Sequence, residues 1–156
     1  MLSPEFLTPD RVRVDVEASS RKDALQSLSI LLASGPGSLT AGEIFALLDQ
    51  RERLGSTCLG NGVAVPHGRD PSLEQPVAAI LRFTDPVDFD AGEDTAISVA
   101  VGLMLPEKEG GDLSTVVDAL RMADSAIALR TASTPDAAVE AVQASLASAA
   151  PKDVEG

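Results

Sequence analysis

The chain of 156 residues has one cysteine, one histidine, and no tryptophan or tyrosine. The lone Cys58 excludes an internal disulfide, and one Cys with one His cannot supply the four ligands of a structural zinc site. Four phenylalanines are the only aromatic residues, which argues against a stacking platform for single-stranded nucleic acid. The sequence therefore indicates no metal site and no cofactor, and a core built from Leu, Val, Ile and Ala.

Basic residues are half as frequent as acidic ones, 12 against 24, and the formal net charge is −12. Such a surface would repel nucleic acid and anionic lipid, and it would attract a partner with a basic face. No apolar run is long enough to span a bilayer, and the start at 1–5 lacks the features of a signal peptide. We expect a cytoplasmic protein that binds no nucleic acid and does not insert into a membrane.

The length is that of one compact domain. Hydrophobic patterning predicts strands at 12–16, 63–65, 77–83 and 97–105, with Pro66 ending the second and Asp85-Pro86 turning the chain after the third. The continuously apolar strand at 97–105 indicates burial on both faces, so helices should cover both sides of the sheet. We expect an α/β (mixed α+β) fold in a single domain spanning 1–156, with a core at about 5–147 and an acidic tail at 150–156.

Four helices are expected. Ser19 and Ser20 offer an N-cap for the first, which Gly35-Pro36-Gly37 stops. Thr40 and Glu43 form a capping box for the second, which should run to about Leu54 and place Arg51 in its last turn. Two more helices are predicted at 113–129 and from Pro135 onward.

The most unusual segment, 51–69, reads R-E-R-L-G-S-T-C-L-G-N-G-V-A-V-P-H-G-R. Its histidine, His67, stands between Pro66 and Gly68, and only histidine offers a neutral nitrogen nucleophile near pH 7. A histidine presented by a rigid turn could accept a phosphoryl group. The alternative is that His67 is an ordinary surface turn residue.

An incoming phosphoryl group needs hydrogen-bond donors and positive charge around it. Hydroxyls come from Ser56 and Thr57, and charge comes from Arg51, Arg53 and Arg69. The Gly60-Asn61-Gly62 turn should reverse the chain and bring these residues back toward the histidine. Glycines, including Gly68, permit close backbone approach.

The run L-G-S-T-C-L-G-N-G-V-A-V-P-H-G-R resembles the signature of the type-2 EIIA domains of the bacterial phosphotransferase system. These include fructose/mannitol EIIA domains and nitrogen-regulatory (PtsN-like) EIIA proteins. Leu103-Met104-Leu105-Pro106 is similar to a strand-end stretch of the family, and the resemblance extends over roughly residues 5–147. It implies a mixed sheet flanked by helices.

The resemblance also implies phosphorylation of His67 by HPr or its nitrogen-branch relative NPr. Onward transfer would go to a cysteine of an EIIB domain, or the phosphate would serve as a regulatory mark. By position, Arg51 matches the family arginine that helps to hold the phosphate. Ser56 and Thr57 match the family Ser-Thr pair beside the histidine. We expect Ser56, Thr57 and Gly68 to contact the phosphate, and Arg69 to lie behind them.

Two positions depart from the family. Cys58 stands where glycine is usual. Many relatives carry a second histidine near the phosphate, whereas this chain has none, and Asp112 falls near that position. A carboxylate there would either repel the phosphohistidine or orient the imidazole ring.

Three functions compete. A phosphoryl carrier of the nitrogen-regulatory branch is favoured because no EIIB or membrane segment is attached, although a separate EIIA subunit of a sugar system fits the same motif. A regulatory binding module that has lost phosphotransfer is the alternative from another class. A hydrolase using His67 as general base lacks a supporting constellation.

Overall fold

A mixed sheet of five strands lies at the centre of the computed structural model, which describes residues 4–89, 96–108 and 111–149. The strands are β1 (Val12–Val16), β2 (Val63–Ala64), β3 (His67–Arg69), β4 (Val77–Asp88) and β5 (Ala96–Leu105). The order is β1-β4-β5-β2, and β3 also pairs with β5. Only β4 and β5 are antiparallel; β1 runs parallel to β4, and β2 and β3 run parallel to β5.

The helices are α1 (Arg21–Ala33), α2 (Ala41–Leu54), α3 (Asp112–Leu120), α4 (Ala123–Thr131) and α5 (Pro135–Ala149), and short 3-10 turns occupy Pro4–Phe6 and Pro9–Arg11. Ser20 caps α1 by accepting from the Asp23 N–H. Thr40 and Glu43 form the predicted capping box of α2. Within the described ranges no helix is both long and apolar enough to cross a bilayer.

The sheet is buried on both faces, as predicted. Alternate residues of β4 belong to separate clusters, because successive side chains of a strand point to opposite sides. Ala79 and Leu81 pack with the apolar residues of α1 and α2. Ala78 and Ile80 pack with those of α3, α4 and α5. The predicted mixed α/β fold with helices on both sides is therefore confirmed.

The predicted helix at 113–129 is wrong in one respect, since α3 ends at Leu120 and α4 begins at Ala123. The Leu120 carbonyl accepts a hydrogen bond from the side-chain amide of Asn61 at 3.0 Å. Met122 adopts an extended backbone conformation and becomes the N-cap of α4. The Asn61 side chain, 59 positions away in the sequence, thus hydrogen-bonds a carbonyl at the point where the helix breaks.

The predicted turn at Asp85-Pro86 is also wrong, because β4 continues to Asp88. The pairing with β5 is irregular between Arg82 and Val87. A proline can stand inside this strand because its missing N–H falls where the ladder is interrupted. The predicted acidic tail at 150–156 lies outside the described residues.

Candidate functional site

His67 is the first residue of β3, where it pairs with Leu103 of β5. It lies half-buried on a strand, and the expectation of a histidine on a turn is corrected. Its Nδ1 is 2.9 Å from the carbonyl oxygen of Val65. Because a carbonyl oxygen only accepts, Nδ1 must carry the proton in this contact. In the neutral ring the lone pair is then on Nε2, the nitrogen that could act as a nucleophile.

Pro66 separates β2 from β3 along the same edge of β5. It has no N–H to donate, so the ladder stops after Ala64 and resumes at His67. The Pro66 carbonyl still accepts the Leu103 N–H at 2.9 Å. The fixed φ of the proline and this bond tie the backbone before the histidine to the central strand.

Residues 56–65 fold back on themselves as a hairpin, called here the 56–65 hairpin. The Val65 N–H donates to the Thr57 carbonyl at 3.1 Å, and the Leu59 N–H donates to the Val63 carbonyl at 2.8 Å. Gly60 and Gly62 have φ of 88° and 84°, a conformation that side chains disfavour. The predicted reversal is therefore present, and it places Thr57 beside the residue whose carbonyl contacts the imidazole.

Gly68 allows β3 to lie directly against α2. A Cβ added at Gly68 would be 3.0 Å from the Cβ of Leu47 and 3.5 Å from the Sδ of Met104. The first of these distances is tighter than ordinary van der Waals contact, so the strand or the helix would have to shift. The close packing of a helix on the strand that carries His67 thus depends on this glycine.

Thr57 and Glu52 form a buried pair behind the hairpin, with 7% and 5% of their surfaces exposed. The Thr57 hydroxyl donates to the Glu52 carboxylate. Burial raises the pKa of the Glu52 carboxyl, while the hydrogen bonds from Thr57 and the charges of Arg21 and Arg51 oppose that rise. Sequence reasoning missed Glu52, although it follows Ile44 and Leu48 at four-residue spacing on the buried stripe of α2.

The remaining predicted residues at this end of α2 lie as follows. Arg51 is in the last turn, as predicted, and its Nη1 donates to the Gly55 carbonyl at 2.9 Å. Ser56 is exposed, and its Oγ accepts the Cys58 N–H at 3.0 Å. Cys58 is half-buried, and burial raises the pKa of its thiol. The thiolate form of Cys58 is therefore disfavoured.

Arg69 lies at the end of β3, and Asp112 lies at the start of α3. Arg69 ends β3 opposite Leu105, and its Nη1 donates to the Pro106 carbonyl at 3.0 Å. The chain leaves β5 at Leu105 and enters α3 at Asp112. Within the described ranges, no group of three or more His, Cys, Asp or Glu could hold a metal ion.

The arrangement places one imidazole on an edge strand, with its Nδ1 against a backbone carbonyl, next to a hairpin that carries the exposed Ser56. Comparison with known families matches residues 5–145 to the family described as phosphoenolpyruvate-dependent sugar phosphotransferase system, EIIA 2. The chain belongs to this EIIA 2 family. The resemblance seen in the His67 segment is therefore confirmed.

Individual relatives agree with the EIIA 2 assignment. The nitrogen regulatory protein of Pseudomonas aeruginosa is 35% identical over 142 residues, covering 88% of this chain and 92% of that protein. The crystal structure of nitrogen regulatory protein IIA-Ntr from Neisseria meningitidis has a TM-score of 0.79 at 31% identity, covering 88% of this chain and 97% of that one. The mannitol IIA enzyme of Escherichia coli, solved in complex with phosphorylated mannitol IIB, shares the fold with a TM-score of 0.72 at 18% identity, over 88% and 97% of the chains.

The buried position of Glu52 leads to a pH-dependent prediction. A raised pKa in the folded state means that the unfolded chain ionises first as pH rises, so this residue's contribution to stability declines through that range. Glu52→Gln keeps an oxygen that accepts from Thr57 but cannot ionise. We expect the unfolding free energy of this variant, relative to the native protein, to increase as the pH rises above the ordinary pKa of a glutamate carboxyl.

Urea denaturation at several pH values measures this difference. Asp49→Asn is the matched control, since it removes a carboxylate from the same helix that instead pairs with Arg53 at 2.9 Å. A difference between Glu52→Gln and the native protein that stays constant with pH would contradict the prediction.

Proposed function

We propose that this EIIA 2 protein is a phosphoryl carrier of the nitrogen-regulatory branch. The Nε2 of His67 attacks the phosphohistidine of an HPr- or NPr-like phosphocarrier. A new P–N bond forms as the donor's P–N bond breaks, and the electron pair of that bond returns to the donor imidazole. The observation that supports this most is the 2.9 Å contact of Nδ1 with the Val65 carbonyl, because it leaves the lone pair on the other ring nitrogen.

We assign the surrounding donors to positioning and charge neutralisation, which are the main contributions to phosphoryl transfer. Arg51 at the end of α2 and the exposed Ser56 are the proposed phosphate contacts. Because Gly68 has no side chain, the phosphate can approach the backbone closely there. Arg69 contributes positive charge from the end of β3. The sequence predicts that the Thr57 hydroxyl contacts the phosphate directly. Because this hydroxyl donates to Glu52, we propose that it holds the hairpin instead.

The proposed donor and acceptor partners are proteins. The nitrogen regulatory names of the relatives at 35% and 31% identity favour an NPr-like donor and a regulatory role. The mannitol IIA enzyme, which was solved bound to phosphorylated IIB, motivates the alternative of onward transfer to an EIIB cysteine as a sugar-system subunit. A binding module without phosphotransfer is the remaining alternative, in which phosphate would alter docking on a surface of net charge −12.

A phosphoenolpyruvate-driven phosphocarrier relay tests the proposal. The purified protein is incubated with the relay reconstituted with HPr in one reaction and with NPr in another. The expected result is an intact-mass gain of one phosphate that is lost in acid, with phosphorus NMR assigning the phosphate to Nε2. Faster phosphorylation by NPr supports the regulatory branch. A chain that gains no phosphate from either donor contradicts the carrier function.

Asp112 gives a further prediction. If its carboxylate faces the phosphorylated ring, repulsion between the two anions slows phosphorylation or shortens the life of the phosphohistidine. Asp112→His and Asp112→Asn are both expected to speed phosphorylation or prolong the phosphohistidine, by about tenfold, the effect of roughly 1.4 kcal/mol. Rapid-quench phosphorylation and hydrolysis time courses measure both quantities. If neither variant changes either quantity, Asp112 does not act on the phosphate.

A further inference from the structure

A carboxylate stands on the core-facing stripe of α2, where an apolar residue would fit the pattern. Glu52 follows Ile44 and Leu48 at intervals of four, and all three are buried. Burying a carboxyl group costs free energy unless hydrogen bonds compensate. The compensation comes from Thr57, whose buried hydroxyl donates to the carboxylate. Because burial of this carboxylate is unfavourable, its hydrogen bond with Thr57 needs an explanation in the surrounding geometry.

The contacts continue from this pair to the imidazole. The Thr57 carbonyl accepts the Val65 N–H at 3.1 Å. The Val65 carbonyl in turn lies 2.9 Å from the Nδ1 of His67. Glu52 is thereby connected to the ring through one side-chain hydrogen bond and two bonds that involve the backbone of Val65.

The 56–65 hairpin needs such an anchor. It turns through Gly60 and Gly62, both at positive φ, and glycines lose more conformational freedom on folding than other residues. From Gly55 to Gly62, every residue except Thr57 is exposed or half-buried. The buried Thr57 side chain therefore fixes the first half of the hairpin to the end of α2.

We propose that Glu52 and Thr57 are positioning residues for His67. Their hydrogen bond fixes the hairpin so that the Val65 carbonyl holds Nδ1–H and the ring presents Nε2 to the phosphoryl donor. The catalytic consequence rests on the proposed phosphoryl-carrier function. The charged and titratable groups near the carboxylate are Arg21 of α1, Arg51 of α2 and the Cys58 thiol.

The tautomer of the ring gives a direct test that needs no phosphate donor. Since His67 is the only histidine, nitrogen NMR of labelled protein reports its two ring nitrogens without ambiguity. We expect the native protein to be mainly the Nδ1–H tautomer. Thr57→Val and Glu52→Leu should shift it measurably toward Nε2–H, and unchanged ring signals in both variants would overturn the proposal.

Phosphorylation rates test the consequence. We expect Thr57→Val and Glu52→Leu each to slow phosphorylation by about tenfold, because small misplacements of a reacting group reduce rates strongly. Thr57→Ser and Glu52→Gln retain a donor and an acceptor, and should stay within about threefold of the native rate. The matched controls are Asp49→Asn on the same helix and Thr131→Val, whose exposed hydroxyl donates to the Ile127 carbonyl.

The double variant Thr57→Val/Glu52→Leu separates positioning from simple destabilisation. Thr57→Val leaves a buried carboxylate that keeps only the hydrogen bond from the backbone of residue 57, whereas the double variant also removes that buried carboxylate. The double variant should therefore fold at least as stably as Thr57→Val, yet keep the slow rate and the shifted tautomer. Recovery of the native rate and tautomer in the double variant would show a purely structural role and overturn the proposal.

The two proposals fail in different ways. A native protein that takes no phosphate from the relay contradicts the carrier function, and the tautomer measurements still decide whether Glu52 and Thr57 set the ring. The positioning role alone is contradicted if the native protein is phosphorylated while Thr57→Val and Glu52→Leu keep the native tautomer and the native phosphorylation rate.

Discussion

His67→Gln is expected to abolish phosphate uptake, so that the intact mass stays unchanged after incubation with the relay. The glutamine amide can still donate to the Val65 carbonyl, but an amide nitrogen has no available lone pair to attack phosphorus. No other histidine exists to replace it. The expected loss is therefore complete within detection, well over the roughly hundredfold effect of misplacing a reacting group.

The control for this variant is its fold. Circular dichroism and the midpoint of thermal unfolding should stay close to those of the native protein, because His67 is half-buried on an edge strand. An acid-labile phosphate that persists in His67→Gln would place the acceptor on another residue and remove the proposed mechanism. Loss of phosphate together with loss of the folded signal calls for His67→Asn, in which a shorter side chain tests the same point.

Gly102→Ala is expected to lower the free energy of unfolding by about 2 to 3 kcal/mol, in the range known for overpacked cores. A Cβ at this position of β5 would be 2.6 Å from the Cδ2 and 2.7 Å from the Cγ of Leu28. Leu28 is fully buried in α1, so it has little room to move away. Urea denaturation followed by circular dichroism measures the change.

Two comparisons make the Gly102 result specific. Gly42→Ala adds a methyl group in α2 whose nearest neighbour is the Thr40 Oγ1 at 3.9 Å, and it is expected to be neutral or slightly stabilising. Leu28→Ala removes the side chain that Gly102→Ala would meet. The double variant should therefore lose less stability than the sum of the two single variants, and strict additivity would contradict the packing explanation.

Local signals were sufficient to predict much of the fold. The Thr40–Glu43 capping box specifies the start of α2 because both of its hydrogen bonds lie within four residues. The Gly60-Asn61-Gly62 reversal follows from backbone preferences alone. The uninterrupted apolar run that becomes β5 predicted helices on both sides of the sheet, since such a strand has no solvent face.

The errors have long-range causes. The break between α3 and α4 coincides with the amide of Asn61, which caps Leu120 from a distant part of the sequence. The passage of β4 through Asp85 and Pro86 depends on an irregular register with β5. Neither effect can be inferred from the local periodicity of the segment in which it occurs.

At the site, the motif identified His67 as the candidate acceptor, but it did not predict which nitrogen would carry the proton. That depends on the direction of the Val65 carbonyl, which is a property of the folded backbone. Glu52 was overlooked because an acidic residue beside two arginines is usually solvated. Its four-residue spacing from Leu48 was the signal that could have identified it.

The acceptor that orients the imidazole is a main-chain atom, so no side-chain replacement at Val65 can delete it. Substitutions of Val65 should consequently test only how much apolar volume the site requires. A protein that tolerates them would not argue against a role for the Val65 carbonyl. Replacement of the Val65 carbonyl oxygen by sulfur, a thioamide that accepts hydrogen bonds more weakly, is the chemical change that would expose the dependence. Backbone editing, rather than codon replacement, is the means of examining how the proposed reactivity of this ring depends on the Val65 carbonyl.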